Sequence, residues 1–355
     1  MEGLLLNSRM ANGVFDDANP LTRDLWAYPD TGRWDPERNT DELIAALPLY
    51  RQHGLRAITV FLQGGSPLGY YRAHAREELV ARVRRRHPAA TEADIWAGVP
   101  GVESQPWDSS GFDPAGRLRP AFAARAGRLV RAAAEAGLAV ILGLFYFGQD
   151  ERLRDEAAVG RAVDEACGWV LDEGFGNVVI EIANECDIPR YEHAILTPPR
   201  VHELVQRARA HTRRGAHLLV GVSFTRRQLP PPEVCAASDL LLLHGNGIDE
   251  PAALAAFVDA ARAQAGGRLL PVVINEDDHF DFENLGAAEK PGNNFGAALS
   301  RGASWGYFDP GPAAGGRIAW GDRAVGFQSP PIAWGLSSER KRAFFACLRE
   351  VTGGM

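Results

Sequence analysis

The chain carries the run Val178-Val179-Ile180-Glu181-Ile182-Ala183-Asn184-Glu185, in which β-branched residues lead to a carboxylate. An apolar run of this kind, flanked by turn residues, is typical of a buried parallel strand. A second run, Pro271-Val272-Val273-Ile274-Asn275-Glu276, has the same design. A charge is costly inside such a strand but not at its open end. Glu185 and Glu276 are therefore predicted to lie at the carboxyl-terminal mouth of a parallel barrel.

Strand-like and helix-like segments alternate along all 355 residues, which predicts an α/β fold with a parallel sheet. Eight strand candidates begin near Gly3, Leu55, Leu138, Asn177, His217, Asp239, Leu269 and Gly302. Almost every one ends in a polar or aromatic residue, as the mouth of an eight-stranded barrel requires. We therefore predict a (β/α)8 TIM barrel that forms a single domain over residues 1–355. A long loop insertion, about residues 64–119, is expected after strand two and would wall the mouth.

The composition of the chain disfavours some classes of protein. The net charge is −7, from 38 basic and 45 acidic residues, and this balance disfavours a nucleic-acid partner. No stretch reaches the roughly 18 apolar residues of a membrane span, so no membrane partner is expected. The first residues do not resemble a secretory signal, which favours a cytoplasmic protein and leaves secretion open.

The four cysteines, Cys167, Cys186, Cys235 and Cys347, are widely spaced and form no CxxC pair. This spacing supports neither a zinc site nor a redox motif, and it predicts free thiols. Cys186 follows Glu185 directly, but no base for it is visible in the sequence, so a nucleophilic thiol is disfavoured. We expect neither a cofactor nor a metal.

The segment Ile180-Glu181-Ile182-Ala183-Asn184-Glu185 resembles the fourth-strand motif of clan A retaining glycoside hydrolases, such as family five cellulases and β-mannanases. The resemblance implies that Glu185 is the acid/base and that Glu276, at the end of strand seven, is the nucleophile. It also implies that Trp305 matches the eighth-strand tryptophan that lines the sugar subsite. The order and spacing of these residues fit along nearly the whole chain.

The sequence departs from the clan's pattern at four places. Cys186 replaces the proline after Asn-Glu, and Gln63 stands where an arginine often ends strand two. Strand three ends in Phe145-Tyr146-Phe147 where a histidine is frequent, and His244-Gly245-Asn246 replaces the usual histidine followed two residues later by tyrosine. The particular family and substrate therefore stay open, while both glutamates are retained.

The chemistry of the two glutamates fits the resemblance. Retaining hydrolysis needs a protonated acid and an ionised nucleophile about 5 Å apart. Burial and the charge of Glu276 would raise the pKa of Glu185, and surrounding donors would keep Glu276 ionised. We predict a β-glycoside hydrolase that acts on a carbohydrate partner with retention of configuration.

Further side chains are candidates for binding the substrate. Asn184 would donate to the sugar 2-hydroxyl group, and Trp305 would stack on the apolar face of a sugar ring. The remaining candidates end strands or follow them, and they are Asn7, Arg9, Gln63, Tyr146, His244, Asn246, Asp278 and His279.

Three alternatives stay open. A metal-dependent barrel enzyme could hold a divalent cation through Glu185, His244, Glu276, Asp278 and His279, although no HxH or HExxH spacing supports it. A non-catalytic carbohydrate-binding barrel would bind sugar without turnover. A transglycosylase would use the same two glutamates and differ in the access of water.

Overall fold

Parallel strands form a barrel at the centre of the molecule. The computed structural model describes residues 3–65, 67–68, 76–97, 105–278, 293–309 and 326–353. The strands are β1 (Asn7–Arg9), β2 (Ala57–Phe61), β3 (Ala139–Phe145), β4 (Val178–Ala183), β5 in two segments (Leu219–Gly221 and Ser223–Phe224), β6 (Leu241–His244), β7 (Val272–Asp277) and β8 (Ser304–Tyr307). All pair in parallel with their neighbours, and β8 pairs with β1. The predicted (β/α)8 TIM barrel is confirmed.

Strand β5 joins the two sides of the barrel. Its first segment pairs with β4, and its second segment pairs with β6. The interruption at Val222 lets one strand follow the strong twist that a closed sheet requires.

Helices surround the barrel. They are α1 (Pro36–Gln52), α2 (Arg76–Arg86), α3 (Glu92–Ile95), α4 (Pro120–Glu135), α5 (Glu156–Asp172), α6 (Val201–Arg209), α7 (Pro232–Ala237), α8 (Pro251–Gln264), α9 (Asn294–Ser300) and α10 (Glu339–Thr352). Four of them, α1, α4, α7 and α8, begin with proline, whose fixed φ and missing N–H suit the first helical turn. Among the residues that the structure describes, no helix is long and apolar enough to cross a membrane.

Apolar side chains fill the space on both sides of the strands. The larger core lies between the barrel and the helices. A smaller one fills the interior and comprises Ile141, Val179, Leu240, Leu242 and Val273. All four cysteines are buried and unpaired. The barrel is thus a packed core whose upper end is left for polar groups.

A layer of polar side chains lies in the barrel interior around Asn275. Its Oδ1 accepts from Asn7 Nδ2 at 3.3 Å and from Thr59 Oγ1 at 3.1 Å, while its Nδ2 donates to Glu181 Oε2 at 2.8 Å. Gly306 is required beside it, because a Cβ there would lie 1.9 Å from Asn7 Oδ1. The layer links four strands across the barrel.

The described part of the insertion lies against the connection between β1 and α1. Helices α2 and α3 contribute Leu79, Val83 and Ile95 to an aromatic cluster. The other side chains of this cluster come mostly from the β1–α1 connection, and its large rings are Phe15, Trp26, Tyr28, Trp34 and Trp107. The single-domain boundaries predicted from the sequence stay a prediction.

Glu181 offers a test of the polar layer. Burial raises the pKa of its carboxyl, although Arg9 and His244 act in the opposite direction. The folded state therefore holds this proton more tightly than the unfolded state, and stability contributed by Glu181 is lost as pH rises. Glu181→Gln retains an acceptor for Asn275 and does not ionise, so we expect urea unfolding to show equal or greater stability than wild type at pH 8. Glu181→Ala leaves Asn275 unpaired and should cost about 1–3 kcal/mol. A glutamine variant less stable than wild type at both pH 5 and pH 8 would contradict this account.

Candidate active site

A bulge in β7 turns Glu276 into the mouth of the barrel. Val273 pairs with Leu242, and both side chains face the barrel interior. The next paired residues whose side chains face inward are Glu276 and His244. Asn275 is the extra residue, and its side chain also points inward. Regular alternation would turn Glu276 outward, so the register shift between Ile274 and Glu276 is what places it in the site.

Glu185 follows the end of β4 in a left-handed backbone conformation, with φ of 48°. Such a conformation is uncommon for a residue with a side chain and persists where its surroundings hold it. Ser223 does so here, because its Oγ accepts from Glu185 N at 2.8 Å and its carbonyl accepts from Cys186 N at 3.0 Å. The second segment of β5 therefore positions Glu185.

Arg9 links the two glutamate-bearing strands. Its Nε lies 2.6 Å from Glu276 Oε2, and its Nη2 donates to Asn184 Oδ1 at 2.8 Å. Because guanidinium only donates, the contact directs the oxygen of Asn184 toward Arg9 and its NH2 group elsewhere. Arg9 is 1% exposed. Its charge is therefore poorly screened and acts strongly on the neighbouring carboxyl groups.

His244 stands between the two glutamates. Its Nδ1 lies 2.9 Å from Glu185 Oε1 and 3.5 Å from Glu276 Oε2. Burial lowers the pKa of the imidazole, and the nearby carboxyl of Glu276 only partly opposes this. A neutral imidazole at this position hydrogen-bonds to Glu185 through Nδ1, and its contact with Glu276 is longer.

Glu185 and Glu276 lie close together but in different electrostatic settings. A carboxyl oxygen of Glu185 lies within 4.8 Å of a carboxyl oxygen of Glu276. Burial raises the pKa of Glu185 to about 7; Arg9 acts against this shift, and Asp187 adds to it. Burial also raises the pKa of Glu276, but Arg9, His244 and a hydrogen bond from Asn246 favour its ionised form. The pKa of both carboxyl groups is therefore raised, and the hydrogen bond from Asn246 favours the ionised form at Glu276.

Aromatic rings surround the Arg9 guanidinium. Its central carbon lies 4.9 Å from the Phe61 ring centre, 5.9 Å from that of Tyr146 and 6.0 Å from that of Phe308. Tyr191 donates to the carbonyl of Asn184 at 2.5 Å, which fastens the loop after β4 to the site. The rings exclude water from the ion pair and give the mouth apolar faces.

The structure brings several predicted site residues together. Glu185, Glu276, Asn184, His244, Arg9 and Asn246 make direct contacts with one another, and Tyr146 lies beside Arg9. The metal alternative also draws on this set, because donor atoms of Glu185, His244 and Glu276 lie within 4.8 Å of one another. Arg9 disfavours a cation there, since its positive charge already lies 2.6 Å from an oxygen of Glu276.

Trp305 lies elsewhere, which corrects the sequence-based expectation. It pairs with the outward-facing Ile274, and its ring packs against Phe295 and Phe344, with centroids 5.3 and 6.2 Å away. Its indole N–H donates to Asp277 Oδ2 at 2.9 Å. Side-chain alternation along β8 turns Trp305 toward the helices, so it does not line the mouth.

Gln63 and Asn7 are also placed differently from the substrate contacts predicted for them. Gln63 braces two loops: its Nε2 donates to Ser110 Oγ and to Gln149 O, both at 3.1 Å, and its Oε1 accepts from Tyr146 N at 3.1 Å. Asn7 belongs to the polar layer in the barrel interior. Both side chains are fully buried, and their NH2 groups donate to other protein groups.

Asp278 makes hydrogen bonds within the rim of the barrel mouth, and His279 lies outside the described residues. The Asp278 Oδ1 atom accepts from Gly247 N at 3.1 Å, and its carbonyl accepts from Arg340 Nη2 at 2.8 Å. These contacts fasten neighbouring rim segments to each other. The predicted contact of Asp278 or His279 with a sugar stays a prediction.

Sequence reasoning did not select Ser223, Phe308 and Tyr191. Ser223 ends a predicted strand, so the rule that polar strand ends face the mouth could have included it. Phe308 follows Trp305 by three residues and lies on the opposite, inward side of the chain. Tyr191 lies in a loop with no regular pattern, and nothing in its sequence surroundings indicates its position.

The fold defines a class: a TIM barrel of the kind found in solved cellulases. No family model and no curated protein sequence matches the chain. A GH5 xyloglucan-specific endo-β-1,4-glucanase from a metagenomic library, solved with cellotriose, is similar with a TM-score of 0.54 and 13% identity, covering 98% of this chain and 97% of that chain. A GH5 broad-specificity endoglucanase from Clostridium acetobutylicum has a TM-score of 0.53 and 11% identity, covering 97% and 96%. At such identities the similarity shows a shared fold.

The position of Trp305 predicts a structural role. Trp305→Ala should lower the free energy of unfolding by about 3–5 kcal/mol, because a large ring is removed from a packed core. Trp305→Phe should cost less, since most of the ring volume is kept. Urea denaturation checks both variants. A Trp305→Ala variant of wild-type stability that loses affinity for sugars would show instead that Trp305 contacts the ligand.

Proposed function

We propose that this protein hydrolyses a β-glycosidic bond with retention of configuration, with Glu185 as acid/base and Glu276 as nucleophile. The observation that carries the proposal is their separation. One oxygen of the Glu185 carboxyl group lies within 4.8 Å of one oxygen of the Glu276 carboxyl group. Retaining enzymes have carboxyl groups about 5–5.5 Å apart, whereas inverting enzymes need about 6.5–9.5 Å to admit a water molecule.

The surroundings of the two residues favour this division of roles. The Glu276 carboxylate accepts from Asn246 Nδ2 at 2.5 Å and contacts Arg9 Nε at 2.6 Å, so its ionised form is stabilised as a nucleophile requires. Glu185 has a pKa raised to about 7 by burial, so it retains a proton near neutral pH. A general acid works best with a pKa close to the working pH.

The reaction has two steps. The Glu276 carboxylate attacks the anomeric carbon while Glu185 gives its proton to the departing glycosidic oxygen, which leaves a glycosyl ester on Glu276. Glu185, now ionised, takes a proton from water, and the resulting hydroxide attacks the same carbon and releases Glu276. Two inversions give net retention, and both carboxyl groups return to their starting states.

The substrate class is a β-linked glycoside, oligosaccharide or polysaccharide. Asn184 directs its NH2 group away from Arg9, where it can donate to a sugar hydroxyl. The rings of Tyr146 and Phe308, rather than Trp305, offer aromatic faces near the nucleophile. Because a structurally similar GH5 glucanase was solved with cellotriose, cello-oligosaccharides belong in the first panel of substrates, beside aryl β-glycosides.

Substitution of each glutamate tests the assignment. In buffer containing a chelator, wild type should hydrolyse an aryl β-glycoside. Glu185→Gln should lower kcat by about 10²–10⁴-fold, and Glu276→Gln by about 10³-fold or more, without loss of fold. Glu192→Gln, on an exposed rim position, is the matched control and should remain active.

Azide distinguishes the two roles. Added to Glu185→Ala it should give a β-glycosyl azide, and added to Glu276→Ala an α-glycosyl azide, because the first keeps the covalent intermediate and the second does not. Sugar binding without turnover in wild type would indicate the non-catalytic barrel. Activity abolished by the chelator would indicate the metal-dependent alternative.

The pKa of Glu185 predicts the alkaline side of the pH profile. The acid must be protonated to assist departure of the leaving group, so kcat/KM for an aglycone of high pKa should fall about tenfold per pH unit above roughly pH 7. A dinitrophenyl leaving group needs no proton, and its kcat/KM should stay nearly level over the same range. A steep decline with both substrates would assign the titration to a group other than the acid.

A further inference from the structure

The side-chain amide of Asn246 is held at both ends. Its Nδ2 donates to Glu276 Oε1 at 2.5 Å, and its Oδ1 accepts from the backbone N–H of Asp278 at 3.0 Å. A backbone N–H only donates, so the contact with Asp278 determines which end of the amide is oxygen. The NH2 group is therefore turned toward Glu276.

The backbone around this amide is fastened to the end of β7. Gly245 N donates to Glu276 O at 2.7 Å, and Gly247 N donates to Asp278 Oδ1 at 3.1 Å. These contacts flank Asn246 on both sides. The distance between its amide and the Glu276 carboxylate is thus set by backbone pairing rather than by a flexible side chain.

The two oxygens of Glu276 have different partners. Asn246 holds Oε1, while Arg9 Nε contacts Oε2 at 2.6 Å. The last torsion of a glutamate side chain is broad when nothing holds it, because it joins sp³ and sp² atoms. A hydrogen bond on Oε1 and an ion pair at Oε2 restrict that torsion. A nucleophile held at the attack angle reacts faster than one that rotates.

We propose that Asn246 is a positioning residue for the nucleophile, which fixes the plane of the Glu276 carboxylate through Oε1. This inference rests on the proposed function and deepens it, because the sequence alone suggested a substrate contact for Asn246. Asn246 stands two residues after His244, where the clan's pattern has tyrosine. The hydrogen bond also favours the ionised form of Glu276 and opposes the rise in pKa that burial causes.

The test compares Asn246→Asp with wild type on an aryl β-glycoside. Aspartate has the same shape but offers a carboxylate oxygen to Glu276 in place of a donor. We expect kcat to fall about 10- to 100-fold, as loss of one hydrogen bond to a charged group predicts, with KM little changed. The acidic limb of kcat/KM should move to higher pH, because a second carboxylate beside Glu276 makes its ionisation harder. Asn246→Gln, which keeps the amide, should restore part of kcat.

Asn177→Asp is the matched control. Asn177 donates to Val130 O and Leu138 O beside the start of β4, far along the strand from the site, so its loss should lower stability without moving the pH profile. An Asn246→Asp variant with raised KM and an unmoved acidic limb would overturn the proposal in favour of a substrate contact. An Asn246→Asp variant with the kinetics of wild type would also overturn the proposal.

If the proposed function is wrong, the activity measurements give a different result. Wild type would then neither turn over any glycoside nor acquire a label on Glu276 from a 2-fluoro sugar. In that case carbon-13 NMR titration of Glu276 in wild type and Asn246→Asp decides the positioning contact by itself. A higher titration midpoint in the variant supports the contact, and equal midpoints overturn it.

Discussion

The buried charge of Arg9 governs the chemistry of the barrel mouth. Its guanidinium acts on the carboxyl groups of Glu181, Glu185 and Glu276, all of which are largely or fully buried. An ionised carboxylate without a partner is costly in such surroundings, and one guanidinium can fully stabilise one of them. Its direct contact is with Glu276, while burial raises the pKa of all three carboxyl groups. The position of one arginine therefore gives two similar glutamates different surroundings, because Glu276 alone contacts the guanidinium.

Two departures from regular strand geometry make these surroundings possible. The bulge at Asn275 lets two consecutive side chains point inward, one into the polar layer and one into the mouth. The left-handed backbone at Glu185 turns that residue after β4 has ended, with Ser223 holding it. Irregularities of this kind are expected where strain serves a site, because packing elsewhere holds them in place.

The mouth of the barrel differs from the clan's sequence pattern in the side chains that it contains. An arginine contacts Glu276 from β1, and Gln63 braces two loops at the end of strand two. An amide at Asn246 donates where a tyrosine is usual, and Phe308 brings a ring to the mouth where Trp305 was expected. The chemistry requires a donor or a ring at a point in space, and different elements of one barrel can supply it.

The sequence by itself determined the number of strands and the strand ends that carry Glu185 and Glu276, because a buried parallel strand is a local apolar run with a polar end. It also indicated Arg9, His244 and Asn184 as neighbours, since the ends of parallel strands meet at one rim. Only the tertiary structure decided that Trp305 faces the helices, that Asn275 is a bulge and that Arg9 selects Glu276. Those outcomes depend on strand register and on burial of charge, and both arise from pairings between residues far apart in the chain.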